Sequence, residues 1–251
     1  MVWGKLAARG ALAGYVVAGL GGQAAAETMV VRATGPSAAT YKPGSKLGDG
    51  GSLTLKAGDV VTLLDAKGTR TLRGPGSFNV AAAAAASAAP ANNVMLSALL
   101  DTKRVRRART GAVRGTIGET PAAPPRRPNL WMVDVAQSGT LCVADPAAVR
   151  LWRADPAKSG TVRVIGDGVQ ATASFAAGES VTGWPAAAPV RDGAAYRLSD
   201  GSHAADVRFA LVSPETAGLD GIASSLIARQ CTAQLDLLVD TAALSNGAAR
   251  N

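Results

Sequence analysis

The sequence predicts a mainly β protein: an N-terminal β unit, a helix with a basic linker, and a C-terminal β-sandwich-like domain carrying a terminal amphipathic helix. Three observations predict it. Short runs rich in β-branched residues recur about every 8–12 positions. The 29 Gly and 13 Pro of the 251 residues punctuate these runs with turn dipeptides. Helical spacing of apolar residues is confined to a stretch after residue 80 and to the end of the chain. Apolar residues make up 47% of the chain, which is too many for a disordered polymer. A single His and two Cys exclude zinc-finger arrays and disulfide-dense scaffolds.

The first 26 residues read as an export signal. Lys5 and Arg9 form the positive n-region, Ala11 to Leu20 the apolar run, and Ala24-Ala25-Ala26 the small-residue cleavage site before Glu27. No later stretch is apolar enough over 18 residues to span a bilayer, so the expected mature product is a soluble periplasmic protein beginning at Glu27. The reading predicts no integral span after cleavage.

Residues 27–80 form the N-terminal β unit. Met29 to Ala33, Ser52 to Lys56, Val60 to Leu64 and Thr69 to Leu72 are strand runs, closed by Gly35-Pro36, Gly58-Asp59, Gly68 and Gly74-Pro75-Gly76. The frame from Lys56 to Phe78, with Gly58-Asp59, the strand Val60 to Leu64, the Asp65-Ala66-Lys67-Gly68 turn and a second strand before Gly74-Pro75-Gly76, resembles a FecR-like domain over about residues 28–80. That family includes periplasmic regulators of sigma factors that carry a membrane span and a cytoplasmic tail, neither of which this sequence contains. The chain is closer to exported proteins of Gram-negative bacteria that combine such a module with an Arg-rich helix and a Trp-containing β region. The resemblance implies a fold and a compartment.

Residues 81–128 are read as an Ala-rich, basic helix followed by a Pro-rich linker. Val94, Leu96, Leu99, Leu100 and Val105 make an apolar stripe, with Pro90 as a helix start. Pro121, Pro124, Pro125 and Pro128 stiffen the stretch that follows. Between Asp101 and Pro128 stand Lys103, Arg104, Arg106, Arg107, Arg109, Arg114, Arg126 and Arg127, opposed only by Asp101 and Glu119. The excess positive charge of the mature chain is therefore local. Arginine pairs bidentately with phosphate and carboxylate, so Lys103, Arg104, Arg106, Arg107, Arg109 and Arg114 are candidate contacts for an anionic glycolipid or an acidic envelope protein. Nucleic acid is not an expected partner in that compartment. The alternative is a solvated linker whose arginines pair within the molecule.

Residues 129–251 resume the strand rhythm, with seven candidate strands at Trp131 to Val135, Thr140 to Val143, Val149 to Arg153, Thr161 to Ile165, Ala171 to Phe175, Ala195 to Leu198 and Asp206 to Val212. Asp145-Pro146, Asp155-Pro156, Asp167-Gly168, Asp192-Gly193 and Asp200-Gly201 separate them. Trp131, Trp152 and Trp184 are available to fill a sandwich core. Ser213-Pro214 starts, and Gly247 stops, one terminal helix over about 220–245, with Leu219, Ile222, Leu226, Leu235 and Leu238 on its apolar side.

Cys142 and Cys231 are the two cysteines of an exported chain, which predicts a disulfide between a strand and the terminal helix. Two buried free thiols or a reactive thiol are the alternatives, although no C-x-x-C is present. His203 lies in the Asp200-Gly201-Ser202-His203 turn, and G-x-S-x-G and S-x-x-K do not occur. Gly48-Asp49-Gly50-Gly51 lacks the following Lys-Ser/Thr of a phosphate loop. The sequence predicts no catalytic, cofactor-binding or metal-ligating set. It favours a non-enzymatic binding or regulatory-scaffold module of the envelope over a hydrolase or carbohydrate-active accessory protein using paired carboxylates.

Overall fold

The computed structural model describes residues 28–48, 50–65, 68–80, 94–101, 127–213 and 218–248. It is mainly β. Six strands form the N-terminal unit: β1 Thr28–Thr34, β2 Lys46–Leu47, β3 Ser52–Leu55, β4 Val60–Asp65, β5 Gly68–Arg73 and β6 Gly76–Asn79. They pair antiparallel as a sheet β2-β1-β4-β5 and a ribbon β3-β6. The ribbon's Leu53 and Leu55 pack with Val30, Val61 and Leu63 on one face of the sheet. Met29, Val31 and Leu64 leave the other face toward the helices. A sheet buried on both faces explains why burial in Val60 to Leu64 runs on through both parities, Thr62 included, rather than alternating. A register shift between Val30 and Arg32 marks a bulge, which swings Arg32 outward onto the terminal helix.

The C-terminal strands are β7 Val133–Asp134, β8 Gly139–Val143, β9 Arg150–Trp152, β10 Gly160–Gly166, β11 Val169–Phe175, β12 Val181–Gly183, β13 Ala195–Ser199 and β14 Ala204–Leu211. A five-stranded sheet, β11-β10-β13-β14-β8, faces a three-stranded sheet, β12-β9-β7. Between them lie Leu151 and Val133 from one side and Val164, Tyr196, Leu198 and Phe209 from the other, giving the sandwich-like arrangement. Two pairs are parallel, β8 with β14 and β7 with β9. The β10–β11 hairpin turns on Asp167 and Gly168, both at positive φ (50° and 74°), as a two-residue loop of the primed type demands.

The described helices are α1 Val94–Leu100, α2 Leu219–Ala228 and α3 Thr232–Ala248. The single terminal helix expected from the sequence is a pair. Gln230 adopts φ 58°, the Cys231 N–H donates to the Leu226 carbonyl at 2.8 Å, and the Gln230 N–H donates to the Ile227 carbonyl at 3.1 Å. This crossed pair of bonds is the Schellman stop, here made without glycine. Gly247, expected to end the helix, lies inside α3. The helices fill the space between the N-terminal sheet and strand β8, where Met29, Leu64, Leu99, Trp131, Leu226 and Leu238 share one cluster. Arg32 pairs with Asp236 and Asp240, one turn apart on α3.

Trp131 belongs to that cluster and not to the sandwich core, because its indole N–H caps helix α1 at the Leu100 carbonyl, 3.0 Å away. Leu130 N–H donates to Leu99, and the Asn129 side-chain amide to Asp101. The carbonyls left open at the end of α1 are thus met by residues that return some thirty positions later. Trp152 is buried, and Trp184 lies edge-on to Tyr196 and Phe209 at 5.5 and 5.1 Å. The export signal and residues 81–93 of the Ala-rich stretch lie outside the described residues. Among the described residues no helix is long and apolar enough to cross a membrane.

Candidate functional site: the open face of the five-stranded sheet

Strands β10, β13 and β14 alternate buried and exposed residues along their length. The inward set fills the sandwich, so the outward set forms an open face. Its chemistry follows from register. Arg163 stands opposite Ser199, Ile165 opposite Arg197, Arg197 opposite Asp206, and Ala195 opposite Arg208. Each step from Arg163 to Arg197 to Arg208 moves one strand across and two residues along. The three guanidinium groups therefore run diagonally over three adjacent strands, with about 7–8 Å between successive positions on the sheet.

Arg197 pairs with Asp206 at 3.3 Å, both well exposed. Neither Arg163 nor Arg208 has an ion pair among the described residues. Arg208 lies near Asp192, whose carboxylate accepts from the Leu211 N–H at 2.8 Å and from Arg229 at 3.4 Å. The Leu211 N–H first, then Arg229 and Arg208, hold Asp192 below the usual carboxylate range against a smaller effect of burial. Asp206 thus stands as the acid among three arginines on the face, and Ile165, 44% exposed, lies in its middle. Such a surface attracts anions without enclosing them.

The two ends of the basic segment are held together. Asp101 and Asn129 are hydrogen-bonded, and Arg127 is buried, donating to the Met132 carbonyl at 2.9 Å. Burial lowers the pKa of Arg127, and nearby Asp134 offsets part of that. Arg127 is therefore an internal group of the fold and not part of a solvent-facing cationic run. Lys103, Arg104, Arg106, Arg107, Arg109 and Arg114 lie outside the described residues.

Cys142 and Cys231 form a disulfide with Cα atoms 5.8 Å apart, both fully buried. Beside it the fully buried Gln234 clamps strand β8. Its Oε1 accepts from the Cys142 N–H at 2.6 Å, and its Nε2 donates to the carbonyls of Cys142 and Leu130, each at 2.9 Å. The amide substitutes for the strand that β8 lacks on that side.

His203 Nδ1 sits 3.4 Å from Asp200 Oδ2. The Ser202 hydroxyl donates to Asp200 at 3.0 Å, so the serine is held by the acid and is not paired with the imidazole. Partial burial works to raise the Asp200 pKa, but the backbone N–H groups of His203 and Ser202 outweigh it and pull it down to about 2. Asp59 behaves alike: burial is outweighed by hydrogen bonds from Ser37 and the Lys56 N–H, and its carboxyl is lowered. Each described acid with a displaced pKa thus moves down, as structural turn carboxylates do. Among the described residues no group of three or more His, Cys, Asp or Glu could hold a metal ion.

The arginine diagonal escaped the sequence reading, although its signal was there: arginines at outward positions of three alternating strands. What was missing was register, which alone brings them into line. Comparison with protein-family models, curated proteins and solved structures finds no match for this chain.

Proposed function

We propose that the chain is an exported, non-enzymatic binding or regulatory-scaffold module of the cell envelope that engages an anionic glycolipid surface. The observation that carries this reading is the diagonal of Arg163, Arg197 and Arg208 on an exposed sheet face where Asp206 is the counter-charge. The cationic segment from Lys103 to Arg114 adds charge to the same role, anchored at the point where Asp101 meets Asn129. The resemblance of residues 28–80 to a FecR-like domain supports the export half of the reading. It rests on the Gly58-Asp59 turn, whose carboxylate ties Ser37 to Lys56, and on the β4–β5 hairpin.

The test is sedimentation of the purified chain with vesicles containing lipopolysaccharide, against neutral vesicles, across salt. Retention at low salt and release above roughly 0.5 M is expected, because the Debye length shrinks to about 3 Å near 1 M. Arg163→Gln, Arg197→Gln and Arg208→Gln together should weaken retention with an unchanged melting temperature, as should Arg104, Arg106, Arg107 and Arg109 changed to Gln. No retention at low salt overturns the reading.

A further inference from the structure

Sheet edges invite pairing with other chains, and proteins cover, shorten or charge them. Here β2, β3, β6, β7 and β12 are two to four residues long. Strand β8 is covered by Gln234, and β5 packs against α3. Strand β11 is the exception among the described residues. It is seven residues long, Val-Gln-Ala-Thr-Ala-Ser-Phe, ends the five-stranded sheet, and contains no charge and no proline. Its register with β10 runs without a bulge from Gly166↔Val169 to Gly160↔Phe175.

We propose that β11 is a homodimer interface, pairing antiparallel with β11 of a second copy about a two-fold axis at Thr172. Gly166 and Val169 close the hairpin, so Val169, Ala171, Ala173 and Phe175 direct their backbone groups to β10. The N–H and C=O groups of Gln170, Thr172 and Ser174 point off the free edge. A two-fold at Thr172 sets Thr172 against its own copy and Gln170 against Ser174, which makes about six backbone hydrogen bonds.

The side chains suit a second copy of this strand in particular. The pattern is palindromic about Thr172, with polar Gln170, Thr172 and Ser174 outward and apolar Val169, Ala171, Ala173 and Phe175 inward. Self-pairing therefore puts polar against polar, Ala171 against Ala173, and half-buried Val169 against Phe175. A strand without charge meets no like charge in its copy. The cations opposite Thr172 at the axis, Arg163 of each copy, would be three strand spacings apart, about 14 Å and beyond the Debye length of about 8 Å at physiological salt. The axis of an antiparallel strand pair is perpendicular to the sheet, so both arginine diagonals would lie on one side of a continuous ten-stranded sheet.

Sedimentation equilibrium of the purified full chain tests this without any lipid. Wild type should show twice the chain mass, and hydrogen exchange should find the Gln170, Thr172 and Ser174 amides protected as the dimer forms. In Thr172→Glu the new carboxylate faces Arg163 within its own chain but faces another glutamate across the two-fold. This variant should fold and have the mass of one chain. Thr172→Lys should do the same, and mixing the two should restore twice the mass. A wild-type mass of one chain at every concentration reached overturns the proposal. So does a Thr172→Glu dimer, or a wild-type dimer whose Gln170, Thr172 and Ser174 amides exchange freely.

Discussion

Replacing Gln234 with Leu tests how the edge of β8 is stabilised. The two side chains are of similar volume, so the change removes hydrogen bonds rather than opening a cavity. It leaves three buried groups without partners: the N–H and C=O of Cys142 and the C=O of Leu130. At about 1–3 kcal/mol for each abandoned group, with carbonyls at the low end, the expected loss is about 3–6 kcal/mol. Typical domains have only about 5–15 kcal/mol in total. With a urea m-value of about 3 kcal/mol/M, the unfolding midpoint should fall by about 1–2 M. Tryptophan fluorescence reports the transition, since Trp131 sits in the same cluster as Cys142. A midpoint shift below about 0.3 M with an unchanged m-value would refute the argument that these bonds hold the strand.

Three further outcomes are expected. Gln230→Gly should stabilise the protein by about 0.5–1 kcal/mol in the same urea assay, because glycine adopts the left-handed conformation that Gln230 holds at φ 58° without a steric cost; a destabilised variant would count against the Schellman account. Cys142→Ser with Cys231→Ser should cost about 2–5 kcal/mol, since the bridge closes a separation of 89 residues; both sulfurs should resist alkylation until the chain is reduced and denatured, and ready labelling of the native protein would contradict their burial. Asp200 is held at about 2, below its ordinary 3.8, so its contribution to stability is present above about pH 4 and disappears as pH falls toward 2; Asp200→Asn should flatten that acid limb of the stability–pH curve, and an unaltered limb would assign the acid sensitivity elsewhere.

The strands were legible because their signals are local. Val60 to Leu64 announces itself by β-branching, and Asp167-Gly168 is a hairpin turn in two letters. The cysteine pairing was legible because only two cysteines exist. Other features depend on distant partners and left no local mark. Trp131 reads as a core residue of the strand region around it, yet it caps α1 because the chain returns there from about thirty positions away. The terminal helix reads as continuous because Gln230 gives no warning of a stop. The break falls at the point where Cys231 meets Cys142. Strands of two or three residues such as β2 and β12 are too short to show any period. The arginine diagonal needed three strand registers before its alignment existed at all.

The wedge of terminal helices between the two sheets bears on the order in which the chain can be completed. Met29, Val31 and Leu64 find apolar neighbours in Ile222, Leu226 and Leu238, on segments synthesised long after them. A growing chain can close the ribbon face of its first sheet early, since Leu53, Leu55 and Val61 are all at hand. The opposite face gains Leu99 and Trp131 next, but is completed only when α2 and α3 have emerged. Closing so wide a loop costs little extra entropy, because that cost rises only with the logarithm of its length, but it slows assembly. A chain cut short after β14 would leave an apolar sheet face without its cover. Strand β1 thus precedes these helices in synthesis and is finished only with them.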